Sequence, residues 1–120
     1  MDRLQGQWPD VAAVLASLDA VERRRVAARA AAHALEVVDL GTPEGDEQAV
    51  TAQLQQLDVI AWQIQDDDTA PAGAYETAFR RARAVNAYAL SRFGGSPDDA
   101  LYEALHALGA PSDAGSVLGL

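Results

Sequence analysis

From Ala20 to Leu40 the chain runs without a glycine or proline, and alanine is the commonest residue in the segment. Nothing else in the sequence limits the fold as much, because this composition favours helix at almost every position. Asp19 has the short oxygen-bearing side chain of an N-cap. Glu22 stands three residues on, and Leu18 sits where a hydrophobic staple would. Gly41 is suited to the left-handed conformation that ends a helix, and Pro43 follows. At roughly 100° per residue, Val21, Val26, Ala27, Ala28, Ala30, Ala31, Ala32, Ala34, Leu35, Val37 and Val38 cover more than half the circumference. The polar remainder is a stripe of Glu22, Arg25, Arg29, His33 and Glu36. This predicts a central helix over about 19–40, surrounded by neighbours on most sides.

The other segments read as helices packed around it. Trp8-Pro9-Asp10 opens a short one, with Val11, Val14, Leu15 and Leu18 at helical spacing. Gly41 to Gly45 is a loop. A third helix starts at Asp46 and Glu47, its buried stripe formed by Val50, Leu54, Leu57, Ala61 and Ile64, and it ends at Asp66-Asp67-Asp68. A fourth runs from the neighbourhood of Pro71 to Phe93, where Gly94-Gly95 stops it. Ser96-Pro97-Asp98-Asp99 restarts the chain as a fifth, with Leu101, Ala104, Leu105 and Leu108 on its core face. No stretch alternates at period two for long enough to be a strand. The expected fold is therefore an all-α, compact five-helix bundle, a single domain over 1–109, followed by a loose tail over 110–120 rich in glycine and proline breaks.

Composition removes several function classes. The chain has 120 residues, is 49% hydrophobic and carries a net charge of -9, which suits a folded domain and disfavours nucleic-acid binding. Two arginine clusters, Arg23-Arg24-Arg25 with Arg29 and Arg80-Arg81 with Arg83, are expected to form solvated faces and ion pairs. No apolar run reaches the roughly 20 residues of a membrane span. The first eight residues lack the basic start and apolar core of a signal peptide. With no cysteine, thiol chemistry is absent. A cytoplasmic protein of a GC-rich bacterium is expected, with no membrane partner and no cofactor.

Catalytic signatures are few. There is no nucleophile elbow, phosphate loop or dinucleotide fingerprint. His33 and Glu36 form H-x-x-E, and Glu103 and His106 form E-x-x-H, so each pair shares a helix face. If their helices were adjacent and antiparallel, these four side chains would make a His/carboxylate metal site, the alternative reading being a metal-dependent helical enzyme. The reversed motif and the lack of further placed glutamates argue against it, so the chain is read as non-enzymatic. Asn86, on the apolar stripe of the fourth helix, is expected to need a hydrogen-bonding partner.

Trp62 is the more informative residue. It lies outside the main stripe of its helix, beside Val59, with Asp58 and Asp66 one turn away on either side. Three environments suit it: a second packing face covered by the segment with Trp8, a twofold mate in a homodimer, or an anchor for a protein partner. In size, charge and helix content the chain resembles the small acidic all-helical immunity proteins of bacterial toxin–immunity systems. The segments carrying that likeness are Leu57-Asp58-Val59-Ile60-Ala61-Trp62 and Ala78-Phe79-Arg80-Arg81-Ala82-Arg83-Ala84. The resemblance implies an inhibitor that covers a basic, toxin-like partner with an acidic face. The residues it selects here are Asp58, Trp62, Asp66, Asp67 and Asp68.

Overall fold

The computed structural model describes residues 3–120; Met1 and Asp2, at the start of the stretch read for a signal peptide, lie outside them. The described residues are helical and contain no strand. Seven helices follow one another: α1 (Arg3–Gln7), α2 (Pro9–Ala16), α3 (Ala20–Val37), α4 (Glu47–Gln65), α5 (Ala74–Arg92), α6 (Pro97–Ala107) and α7 (Ala114–Val117). The two additions to the expected five are α1 and α7. Both are under two turns long, too short for a periodic pattern to develop.

The local stop and start signals account for most boundaries. Asp19, Asp46 and Ser96 each accept a hydrogen bond from the backbone N–H three residues on, at 2.8, 3.0 and 3.3 Å. Glu22 does not complete the expected reciprocal box at Asp19; its carboxylate pairs with Arg25 at 2.6 Å. Pro97 occupies the first turn of α6. α5 begins at Ala74, after Gly73 with φ 82°, and ends where Gly94 takes φ 89° and the Gly95 N–H reaches back to the Leu90 carbonyl. Gly95 is required there, since a Cβ would lie 2.9 Å from the Leu90 backbone. The end of α3 differs from expectation. Asp39, not Gly41, takes the left-handed conformation, at φ 60°, and the Leu40 N–H closes on the Leu35 carbonyl. The stop therefore falls two residues early, with a side chain that tolerates left-handed backbone better than most.

The centre of the molecule is not α3. Its buried residues, Val26, Ala27, Ala30, Ala31, Ala34 and Leu35, form one face, while Ala28, Ala32, Val21 and Val37 are exposed. The enclosed helix is α6, which packs against α1, α3 and α5. Six of its eleven residues are buried, Glu103 among them. α5 lies between α6 and α3 on one side and α4 on the other. That position explains why Ala82, Ala84, Val85 and Ala87 are all fully buried although they do not share one side of the helix. Alanine's helix propensity suits any helix of the bundle, so a run of it marks a helix without marking the middle.

The segment after Ala110 is also docked rather than loose. Ala114 is 2% exposed within the core, and Leu118 packs against that core. Trp8 Nε1 donates to the Pro111 carbonyl at 2.8 Å, tying this segment to the start of the chain.

Candidate partner-binding surface

α4 is held from one side. α5 is its one substantial neighbour, against which Val50 and Ala61 are buried and Leu54, Leu57 and Ile64 half-buried. An amphipathic helix of this kind needs one apolar stripe, yet α4 has apolar residues beyond it. Trp62 is 64% exposed, and Val59 and Ile60 are each 46% exposed. Trp8 does not cover Trp62. It is buried against α6, with its ring 6.0 Å from Tyr102 and 5.4 Å from His106. A solvent-facing tryptophan with a second exposed apolar side chain, Val59, one turn away is the kind of feature found where proteins dock.

The charge around this surface is one-sided. Residues 41–79 contain eight of the chain's eighteen acidic residues and none of its nine arginines. Eight of the nine net negative charges therefore lie on α4, its two flanking loops and the first turn of α5. This signal stands in the primary sequence, and counting charge by segment rather than by motif would have found it.

The five residues selected from the sequence divide into three kinds. Trp62 is exposed on the outer side. Asp66, Asp67 and Asp68 are exposed at the end of α4. Asp67 is partly used by the turn itself, where its Oδ1 accepts from the Thr69 hydroxyl at 2.7 Å and the Thr69 N–H at 2.9 Å. Those two hydrogen bonds hold its carboxyl below the usual aspartate range. Asp58 lies on the flank of α4 between the buried stripe and Trp62, its side chain 35% exposed. Its carboxylate accepts from Arg83 at 2.8 Å, so that part of its charge is engaged within the fold.

The alternative metal ligands do not converge. Among the described residues no group of three or more histidine or acidic side chains is arranged to hold a metal ion. Glu103 is engaged by Arg83 at 3.3 Å and Arg3 at 3.5 Å. His106 Nε2 lies 3.0 Å from Gln7 Oε1, and His33 lines a shallow cleft against Val117 and Leu118. The E-x-x-H spacing thus reflects Glu103 turning to α5 and α1 while His106 turns to the N-terminal segment. Asn86 is half-buried rather than enclosed.

Most of the arginines in the two clusters serve the fold. Arg23 donates to the carbonyls of Leu15, Ala16 and Leu18 at the end of α2. Arg80 donates to the Ala107 carbonyl at the end of α6, and Arg81 to the Val38 carbonyl at the end of α3. Cationic side chains at helix C-termini satisfy carbonyls that no intrahelical N–H reaches, and they favour the negative pole of the backbone dipole.

No protein-family model matches the chain, and no similar curated protein or solved structure was found.

Proposed function

We propose that this chain is a protein-interaction module that covers a basic surface on a partner protein with the outer side of α4 and the acidic turn after it. The observation that carries the reading is Trp62, exposed beside Val59 on a helix that, with its two flanking loops, holds acids and no basic residue. The indole supplies the apolar area that gives a complex its lifetime. Asp66 and Asp68, with Asp67, supply the field that draws a cationic surface in. A cytoplasmic inhibitor of the immunity type, masking a basic toxin, is the form this reading takes. The homodimer reading is weaker on the same ground, since two copies meeting through α4 would bring together segments of like charge.

The test asks first whether a basic protein is encoded beside this chain, which the reading requires; that protein is then purified and mixed with the chain in a stopped-flow instrument. Association should slow as salt rises, because exposed charges are screened beyond about 10 Å at 0.1 M. Asp66→Asn/Asp67→Asn/Asp68→Asn should slow association without altering the melting temperature, the asparagine at 67 retaining an oxygen for Thr69. Trp62→Ala should shorten the lifetime of the complex, a loss of about 2 kcal/mol or more. An unchanged association rate in the triple variant together with an unchanged lifetime for Trp62→Ala would refute the reading.

A further inference from the structure

Between α4 and α5, on the flank of α4 away from Trp62, lies an open cleft of about 450 Å³. Small-molecule sites fall in the range of roughly 300–1,000 Å³ and are mostly apolar, with a few polar groups that fix the ligand. Leu57, Ile60 and Ile64 form one wall, and the first half of α5 forms the other. Ala74 and Ala78 in that second wall have short side chains, so the helices meet without filling the space between them. Pro71 lines the end at the turn. The lining contains no carboxylate. Its one charged group is Arg81, at the end away from the turn.

Thr77 and Arg81, four residues apart on α5, share one side of that helix. The Arg81 Nε–H donates to the Val38 carbonyl at 3.3 Å, which orients the guanidinium. Its two terminal nitrogens and the Thr77 hydroxyl make no hydrogen bond or ion pair among the described residues. Asp39, in the adjoining cleft, forms no ion pair with it. A half-buried guanidinium with its Nη edge free is shaped for a carboxylate, which it holds through two parallel hydrogen bonds. The Thr77 hydroxyl can donate a third. Charge also sets a direction. From Ala74 to Arg81 is about 10 Å of helix, and Asp66, Asp67 and Asp68 precede the Pro71 end. An anion is repelled at that end and attracted at the other. The chain's net charge of -9 works against any anion at a distance, but it is screened beyond about 10 Å at 0.1 M salt, whereas Arg81 acts in contact.

We propose that the cleft between α4 and α5 is a binding site for a small amphipathic carboxylate. Its acyl chain lies between Ile60 and Ile64 on one side and Ala74 and Ala78 on the other, and its carboxylate sits on Arg81 and Thr77. The site is independent of the outer-side reading, since it lies on the other flank of α4 and needs no protein partner. Either can fail alone.

The experiment titrates the ¹⁵N-labelled full chain at neutral pH with decanoate, kept below its micelle-forming concentration. Decanol and decylammonium, with the same chain and a different head, serve as comparisons. Decanoate should shift the amides of Ile60, Ile64, Thr77 and Arg81 and bind about tenfold more tightly than decanol, the worth of a charge-assisted hydrogen bond. Decylammonium should bind weakest. Arg81→Gln should bring decanoate down to the affinity of decanol, whereas Ile60→Ser should weaken both severalfold and alike. Melting curves accompany each variant; should Arg81→Gln fail to fold, the ratio of decanoate to decanol in the parent chain decides alone. Equal affinities for those two, or a preference for decylammonium, would overturn carboxylate recognition. Shifts confined to Val59 and Trp62, or spread over the whole chain, would overturn the cleft as the site. Absence of binding by all three compounds would overturn it as well. The outer side is judged separately, by the Trp62→Ala lifetime.

Discussion

His106 sits with its ring 4.6 Å from Tyr102 and 5.4 Å from Trp8, covered by the start of the chain. Burial there pushes its pKa below the usual histidine value of 6.5; Glu103 pulls the other way, and the charges of Arg83 and Arg3 add to the depression. A base whose pKa is lower folded than unfolded binds fewer protons in the native state. The stability it supports is complete above pH 6.5 and is lost as pH falls from there through the depressed value. Denaturant midpoints measured downward from pH 7 should begin to decline near pH 6.5. His106→Phe, which keeps an aromatic ring against Trp8, should remove that early part of the decline; an identical pH profile for the variant would assign it to other groups. Asp39 offers a second test at this scale. Its φ of 60° strains a side chain that glycine would relieve, so Asp39→Gly should raise the melting temperature by an amount worth about 1 kcal/mol or less. Gly41→Ala should be tolerated, because Gly41 has no positive φ and open space where a Cβ would go. The reverse pattern would return the helix stop to Gly41.

Between helices, the buried charge at Glu103 decides how α5 and α6 meet. Its side chain is 6% exposed and faces Arg83, which also reaches Asp58 on α4, so one guanidinium joins three helices. Removing one partner of such a pair strands the other, whereas replacing both by apolar groups does not. Arg83→Met should cost about 3 kcal/mol by denaturant titration, and Arg83→Met/Glu103→Leu should recover much of that loss. A double variant no better than the single one would mean that the pair contributes in its own right. This contact also marks where sequence reading ends. The caps at Asp19, Asp46 and Ser96 and the stop at Gly94 were legible because each is settled within a few residues. The interior place of α6 was not, because it depends on Arg83 meeting Glu103 and on Trp8 meeting Pro111 from the far end of the chain. Seen alone, Glu103 and His106 mark a polar edge, and so the alanines of α3 drew the central role instead.

For the molecule as a whole, charge and hydrophobicity are unevenly divided. The α3, α5 and α6 side holds the core and nearly balances its acids with arginines, many of them spent on helix ends and ion pairs. The α4 side carries the net charge and the exposed tryptophan. Trp62 and the acidic turn were legible as candidates from their place off the buried stripe. Asp58 was not separable from them, since only the fold brings Arg83 within 2.8 Å of it. The cleft between α4 and α5 was invisible for the same reason: Ile64 reads from the sequence as part of the buried stripe, and only the fold sets it across a gap from Ala74 and Ala78.

An element supported along a single line has little to keep it in place once that support flexes. In hydrogen-exchange measurements the amides of α4 should open at lower free energy than those of α6, giving up their protons while the interior stays closed. If both helices exchange together at the global rate, the hairpin is part of one rigid unit. Otherwise the most readily released piece of the molecule is also its outward-facing one, and a bound partner would register first as slowed exchange along Val59 to Ile64.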